Sequence, residues 1–398
     1  MTLILRQEAP RTLLPPPRGF ALWQLGFRPF YLLAAMLAAA SILVWIGQLY
    51  GVFGFGYLPG PIWHAHEMLF GFALAVIVGF LFTAGRNWAG RPTPTGRWLA
   101  ALAALWILGR CIALTPFGWA GAIASPAFAL AAAASLAVPF WASRNRRNYF
   151  FIGLLAALGL LDLAIHLALL GAIELPPWLG VRLALDVVLF IMAVMAGRVI
   201  PMFTNNGVPG AGAVRQPALD RLALGSVLAL TAFDLAFRSD VAIAAVALVA
   251  AALHAARWLL WRPWRTARNP LVWILHVAYA WIPLHLALRG LAALGWVADS
   301  AATHALTVGA VGGLVMGMMT RTSLGHTARP LRADRYDIAC YAAVSIAALV
   351  RVFVPIAAPS QSPTAIVGSA LLWSFAFALF AVRYWPVLTR PRLDGLPG

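Results

Sequence analysis

The chain has 398 residues, of which 62% are apolar and only 10% charged, and its mean hydropathy is +0.85. Soluble domains run near half apolar and a quarter charged, so a one- or two-domain soluble enzyme is excluded, and so much apolar surface equally excludes a disordered chain. The net charge of +17 comes from 29 arginines and no lysine against 12 acids, scattered through short links rather than gathered on one face, so no nucleic-acid partner is expected.

What remains is an all-α polytopic membrane bundle. The first twenty residues carry Glu8, three arginines and Pro15-Pro16-Pro17, and lack the apolar core of a signal peptide. Apolar stretches able to cross a bilayer then follow at about 29–49, 62–84, 97–115, 119–141, 149–171, 178–203, 218–236, 239–261, 270–294, 302–320, 336–357 and 362–385. The seventh and eighth form a tight hairpin, so eleven spans stay open beside twelve. With the N-terminus inside, the inner links and both tails hold 24 arginines, and the outer side keeps five: Arg110, Arg182, Arg238, Arg289 and Arg351. This bias sets an N-in, C-in orientation, and it favours twelve, because losing one span would reverse the later basic links. No linker divides the chain, so residues 1–398 read as a single transmembrane domain. Cys111 and Cys340 lie inside apolar runs and give no disulfide framework.

Ionisable groups inside a bilayer mark pathways, relays or cofactors, so the eight histidines are informative. Taking 1.5 Å per residue along each span, His64, His66 and Glu67 fall at the outer end of span 2. Asp162 and His166 share one face in the outer half of span 5. Asp186 lies in the outer third of span 6, His285 in the outer half of span 9, and His304 opens span 10. Five histidines and three acids thus gather in the outer leaflet. His254 and His276 lie towards the inner side, and His326 belongs to an inner loop. His64 and His66 are two residues apart, so on a regular helix they point about 200° from each other and serve different neighbours. Only an unwound first turn, which Pro59-Gly60-Pro61 could provide, would let both bind one ion. Single histidines such as His166, His254 and His285 are also read as ordinary interhelical hydrogen-bond partners. Asp162 and Asp186 could satisfy His166 or Arg182, or line a proton path.

A weak internal repeat accompanies this pattern. Placing His66 on His304, an offset of 238, also aligns Gly71 with Gly309, Gly79 with Gly317, Arg91 with Arg329 and Pro92 with Pro330. Span 6 ends in a similar way, which would group the spans in three sets of four.

The segments Trp63-His64-Ala65-His66-Glu67-Met68-Leu69-Phe70-Gly71, Gly79-Phe80-Leu81 and Asn87-Trp88 resemble the NnrS family. So do Arg198-Val199-Ile200-Pro201-Met202-Phe203-Thr204, His276 with Tyr279-Ala280-Trp281, His304 with Gly309 and Gly312, and Gly317-Met318-Met319 leading to Arg321, Leu324-Gly325-His326-Thr327 and Arg329. The pattern departs at Ala328, where the resemblance leads to a glycine. The resemblance covers nearly the whole chain. It implies a haem- and copper-containing protein of the bacterial inner membrane, of about twelve helices, linked to nitric oxide and to protection from nitrosative stress.

On this reading a haem (b-type) and copper centre forms from spans 2, 9 and 10, with His64, His66, His276 and His304 as ligands. Glu67 would orient an imidazole or donate a proton. Arg110 is a candidate for a haem propionate, as are Arg182, Arg289 and Arg351. The partners are nitric oxide, the lipid bilayer, and quinol or another membrane electron donor, and the activity would be that of a nitric oxide reductase-like oxidoreductase. Two other readings stay open: a twelve-span secondary transporter, and a nitric oxide- or metal-binding protein without turnover.

Overall fold

The computed structural model describes residues 19–236 and 239–396, so Arg6, Glu8, Pro15-Pro16-Pro17, Arg238 and the other terminal positions read above lie outside the described residues. The described chain is helical, without a strand. In order, α1 is Phe27–Leu49, α2 Gly60–Ala89, α3 Gly96–Ile112, α4 Gly118–Ala142, α5 Phe150–Leu169 and α6 Pro177–Gly207. Then follow α7 Pro217–Ala236, α8 Asp240–Leu260, α9 Pro270–Ala293, α10 Asp299–His326, α11 Arg335–Ala357 and α12 Ser362–Thr389. Ten of these are long and apolar enough to cross a membrane. The two outside that set are α3, which has 17 residues, and α7, which carries Asp220, Arg221 and Asp234.

Local sequence explains where several helices begin. Proline enters the first turn of α2, α6 and α9, where its missing N–H is no loss. Asp334 caps α11 by accepting from the backbone N–H groups of Tyr336 and Asp337, while the Asp337 carboxylate accepts from the N–H of Asp334. Prolines also lie inside α4, α6, α9, α11 and α12.

Each helix packs against its neighbours in sequence, and α12 returns to α1, so the helices close on themselves. The innermost are α2 and α10, with 83% and 72% of their apolar stretches buried, against 33% for α8. Ala21 N–H donates to Thr389 O at 2.7 Å, and the Arg28 guanidinium donates to Leu388 O and Arg390 O, so both ends of the described chain lie on one face. An even number of crossings has this result.

The two inner helices share an irregularity. In α2 the residues Glu67–Ala73 form a π-helix directly after His66, and in α10 Ala305–Gly312 do so directly after His304. The offset between them is that of the sequence repeat. Gly309 sits against the face of Trp281, which a Cβ would overlap; Gly71 admits Leu37 and the Arg110 side chain in the same way.

Ala328 has φ +57°, in the left-handed region that costs an L-residue roughly 1–2 kcal/mol. This is the position where the family resemblance leads to glycine. Ala328→Gly is expected to stabilise the protein by about 1 kcal/mol. That gain would appear as a thermal midpoint raised by about 1–2 °C in detergent.

Candidate functional site

The polar residues around the start of α2 separate into two adjoining groups, because the first turns of α2 are regular helix from Gly60 to His66. His64 and His66 therefore face different ways. His66 turns to α5 and enters a fully buried network. Its Nδ1 lies 3.0 Å from Glu67 Oε1, and its Nε2 lies 2.9 Å from Asp162 Oδ1 and 3.2 Å from His166 Nε2. His166 Nε2 is 3.3 Å from the same Asp162 oxygen, one helical turn back on α5. Its Nδ1 is 3.0 Å from the hydroxyl of Tyr57, in the loop before α2.

Arg110 of α3 closes this network from the other side. It donates to Glu67 Oε1 at 3.0 Å and also to the Ser125 hydroxyl, which in turn donates to Asp162 Oδ2 at 2.7 Å. Two carboxylates thus face one guanidinium. With both imidazoles neutral the group carries one net negative charge in a region closed to water. His66, Asp162 and His166 place one ligand atom each within 4.8 Å of one another, close enough to share a metal ion.

His64 turns the opposite way, into a cavity of 560 Å³ between α1, α2, α6, α9, α10, α11 and α12. That size lies within the roughly 300–1,000 Å³ of small-molecule sites. Trp45, Phe72, Trp178 and Trp373 supply its aromatic lining, and His64, His285 and His304 its imidazoles. The His64 and His304 rings are near-parallel, 7° between planes, with centroids 6.4 Å apart, and Trp45 lies parallel to His64 at 5.2 Å. His304 Nδ1 donates to Ser300 O at 2.7 Å, and His285 Nδ1 donates to Ala302 O at 2.7 Å. Each bond fixes the proton on Nδ1 and leaves Nε2 as the lone-pair nitrogen. His285 Nε2 is buried and has no hydrogen-bond partner among the described residues.

Three arginines line this cavity, but they are not equivalent. Arg182 pairs with Asp299 at 2.9 Å, and Arg289 is held between Asp186 at 2.6 Å and Asp234. Arg351 donates to the Ser300 hydroxyl at 3.0 Å and pairs with no carboxylate among the described residues. It is the cation free to meet an anion. Arg110, read from sequence as a propionate partner, is instead committed to Glu67 and Ser125.

His276 joins neither group. Its Nε2 is 2.8 Å from the Thr204 hydroxyl of α6, and its Nδ1 has no partner among the described residues. His254 is bound at both nitrogens, 2.8 Å from Tyr279 Oη and 3.0 Å from Ala223 O. Beside it Arg257 joins Asp220 at 2.7 Å and Ala193 O at 2.9 Å, a tie holding α6, α7, α8 and α9 together. His326 lies against Phe27, and its carbonyl accepts from Arg392.

Sequence reading did not mark Tyr57 or Ser125. Nothing in either neighbourhood distinguishes them, since their partners lie 109 and 37 residues away. The Asp162 and His166 pair was signalled by its i, i+4 spacing on one helical face.

The chain matches the family described as NnrS protein over residues 21–392, and it belongs to that family. A comparison with curated proteins finds no match.

Proposed function

We propose that this NnrS family member is a haem- and copper-binding protein of the bacterial inner membrane that binds nitric oxide and reduces it. The observation that carries the reading is the aromatic cavity in which two near-parallel imidazoles, a third buried imidazole with a bare nitrogen, and an uncompensated arginine meet. The residues fit a haem. His304, its Nδ1 proton held by Ser300 O, would hold the iron, His64 would line the place where the gas is taken, Trp45, Phe72 and Trp373 would pack on the macrocycle, and Arg351 would take a propionate carboxylate. When bound, the haem supplies an iron that takes nitric oxide and exchanges one electron at a time. We place the chain N-in and C-in with twelve crossings, which sets this cavity in the outer leaflet.

The chain's own residues have separable tasks. Ser300 O and Ala302 O hold the protons of His304 and His285 at Nδ1. The apolar part of the lining admits nitric oxide, a small apolar gas, directly from the bilayer. Reduction joins two nitric oxide molecules with two electrons and two protons into nitrous oxide and water. Electrons would come from a quinol or another membrane donor. Glu67, whose carboxylate accepts the His66 Nδ1 proton and which directly precedes the cavity-lining Met68, would be the group that passes a proton to the cavity.

The full-length protein, purified in mild detergent, should show a haem difference spectrum on reduction that shifts when nitric oxide is added. His304→Ala should remove most of the haem. Glu67→Gln should keep the haem and lower nitric oxide turnover by at least about tenfold. Turnover unchanged in Glu67→Gln would leave a binding protein rather than a reductase. Haem-free protein from cells supplied with iron and haem precursor would overturn the reading and put the transporter first.

A further inference from the structure

The buried network of α2 and α5 lies apart from the cavity and brings three potential ligand atoms within 4.8 Å of one another. We propose that His66, Asp162 and His166 are the ligands of a mononuclear first-row transition metal, copper before zinc, with Glu67 and Tyr57 setting the imidazole tautomers. This deepens the copper half of the function proposed above by assigning its ligands, and it does not depend on what the cavity holds.

Three observations carry it. The first is geometric. The three ligand atoms form a triangle with sides of 2.9, 3.2 and 3.3 Å. Nitrogen and oxygen ligands about 2.0 Å from one tetrahedral ion lie about 3.3 Å from one another. Asp162 and His166 are fixed to each other by one turn of α5, so a single approach, that of α2, completes the triangle.

The second is the distribution of protons. His66 Nδ1 donates to Glu67, and His166 Nδ1 has the Tyr57 oxygen to donate to. Both Nε2 atoms then present lone pairs to one another and to the Asp162 oxygen. Ser125 donates its proton to the other Asp162 oxygen. With the imidazoles in these tautomers three acceptors converge, fully buried, on a point that a shared proton or a metal ion would fill. A carboxylate and a phenol behind the imidazoles are the supports that metal-bound histidines use.

The third is charge. Glu67 and Asp162 against Arg110 leave one negative charge to be met inside the membrane. Either a proton or a metal ion can meet it. Two imidazoles and one carboxylate favour the later first-row divalent ions, with copper highest in the affinity order.

The test uses the purified full-length protein, exposed to copper and separately to zinc, dialysed against a mild chelator, with metal and haem counted in each sample. About one copper per chain is expected, and its cupric form should show coupling to two imidazole nitrogens in the electron paramagnetic resonance spectrum. Asp162→Asn and His166→Ala should fall below about a tenth of a copper per chain while their haem content stays at the wild-type level. His304→Ala should do the reverse, losing haem and keeping copper. Tyr57→Phe keeps all three ligands and should weaken copper retention by about tenfold, giving a readout if the ligand variants fail to fold. Folded wild-type protein that retains neither copper nor zinc would overturn the proposal and leave the triad as a protonated ion pair. Copper that persists in both Asp162→Asn and His166→Ala would overturn it too, by placing the ion elsewhere.

Discussion

Arg289→Ala is expected to be the most damaging single substitution in the bundle. The Arg289 guanidinium, on α9, donates at 2.6 Å to Asp186 of α6 and also pairs with Asp234 of α7. One cation thus serves two acids on two different helices. Its removal leaves both carboxylates buried and facing each other, and breaking a buried pair from one side costs about 3–5 kcal/mol. Serving two partners puts this case at the upper end of that range. The yield of monodisperse protein in detergent should fall to about a tenth of wild type or lower. Adding Asp234→Asn to the same chain should recover part of it, because one of the two stranded charges is gone. Arg289→Lys should recover less than full stability, since a point charge cannot fork between two carboxylates. Wild-type stability in Arg289→Ala would mean that the acids already carry protons.

Arg110→Leu should produce the next largest loss, with a different recovery. Among the described residues Arg110 is the one fixed cation against Glu67 and Asp162 in the α2–α5 network. Without it the network holds two negative charges, and the metal-free protein should be destabilised by about 3–5 kcal/mol. A cation bound only by the folded state adds stability according to its concentration relative to its dissociation constant. The more negative site should bind it more tightly than wild type does. Thermal midpoints measured with and without added copper or zinc should therefore lie further apart in Arg110→Leu than in wild type. An equal separation in the two proteins would show that Arg110 does not sense the ion.

The helix positions were legible because hydropathy and arginine placement are both read locally. All twelve apolar stretches coincide with helices, and α7 and α8 are distinct around Ser239. The rule that residues two apart diverge on a helix raised the separation of His64 from His66, but the sequence left an unwound turn open and placed both in one centre; the regular helix over Gly60–His66 parts them. What stayed hidden depends on which helices are neighbours. Arg110 reads as an outer arginine available to a propionate, yet it meets Glu67, 43 residues earlier in the chain. His276 carries a family pattern and still lies apart from both groups, because its depth along α9 places it beside Thr204. The glycines at 71 and 309 were legible as matching positions of the repeat. Their neighbours turned out to be an arginine stem and a tryptophan face, which no spacing rule specifies.

The π-helical turns of α2 and α10 have a further consequence. A π turn holds one residue more than the α-helical turn it replaces. Each residue advances an α-helix by about 100°, so the extra one throws the N-terminal part of the rod out of phase with the C-terminal part. The C-terminal part keeps the phase that seats Gly79 beside Phe30 and Gly317 beside Leu275. The N-terminal part is free to take another phase, the one that aims His64, His66 and His304. One rod thus carries two angular settings, one for assembly and one for chemistry. A homologue shorter by a single residue in this stretch can preserve every contact of the C-terminal part and still point its histidines at lipid. In this protein a one-residue length change inside a helix would matter as much as the loss of a ligand.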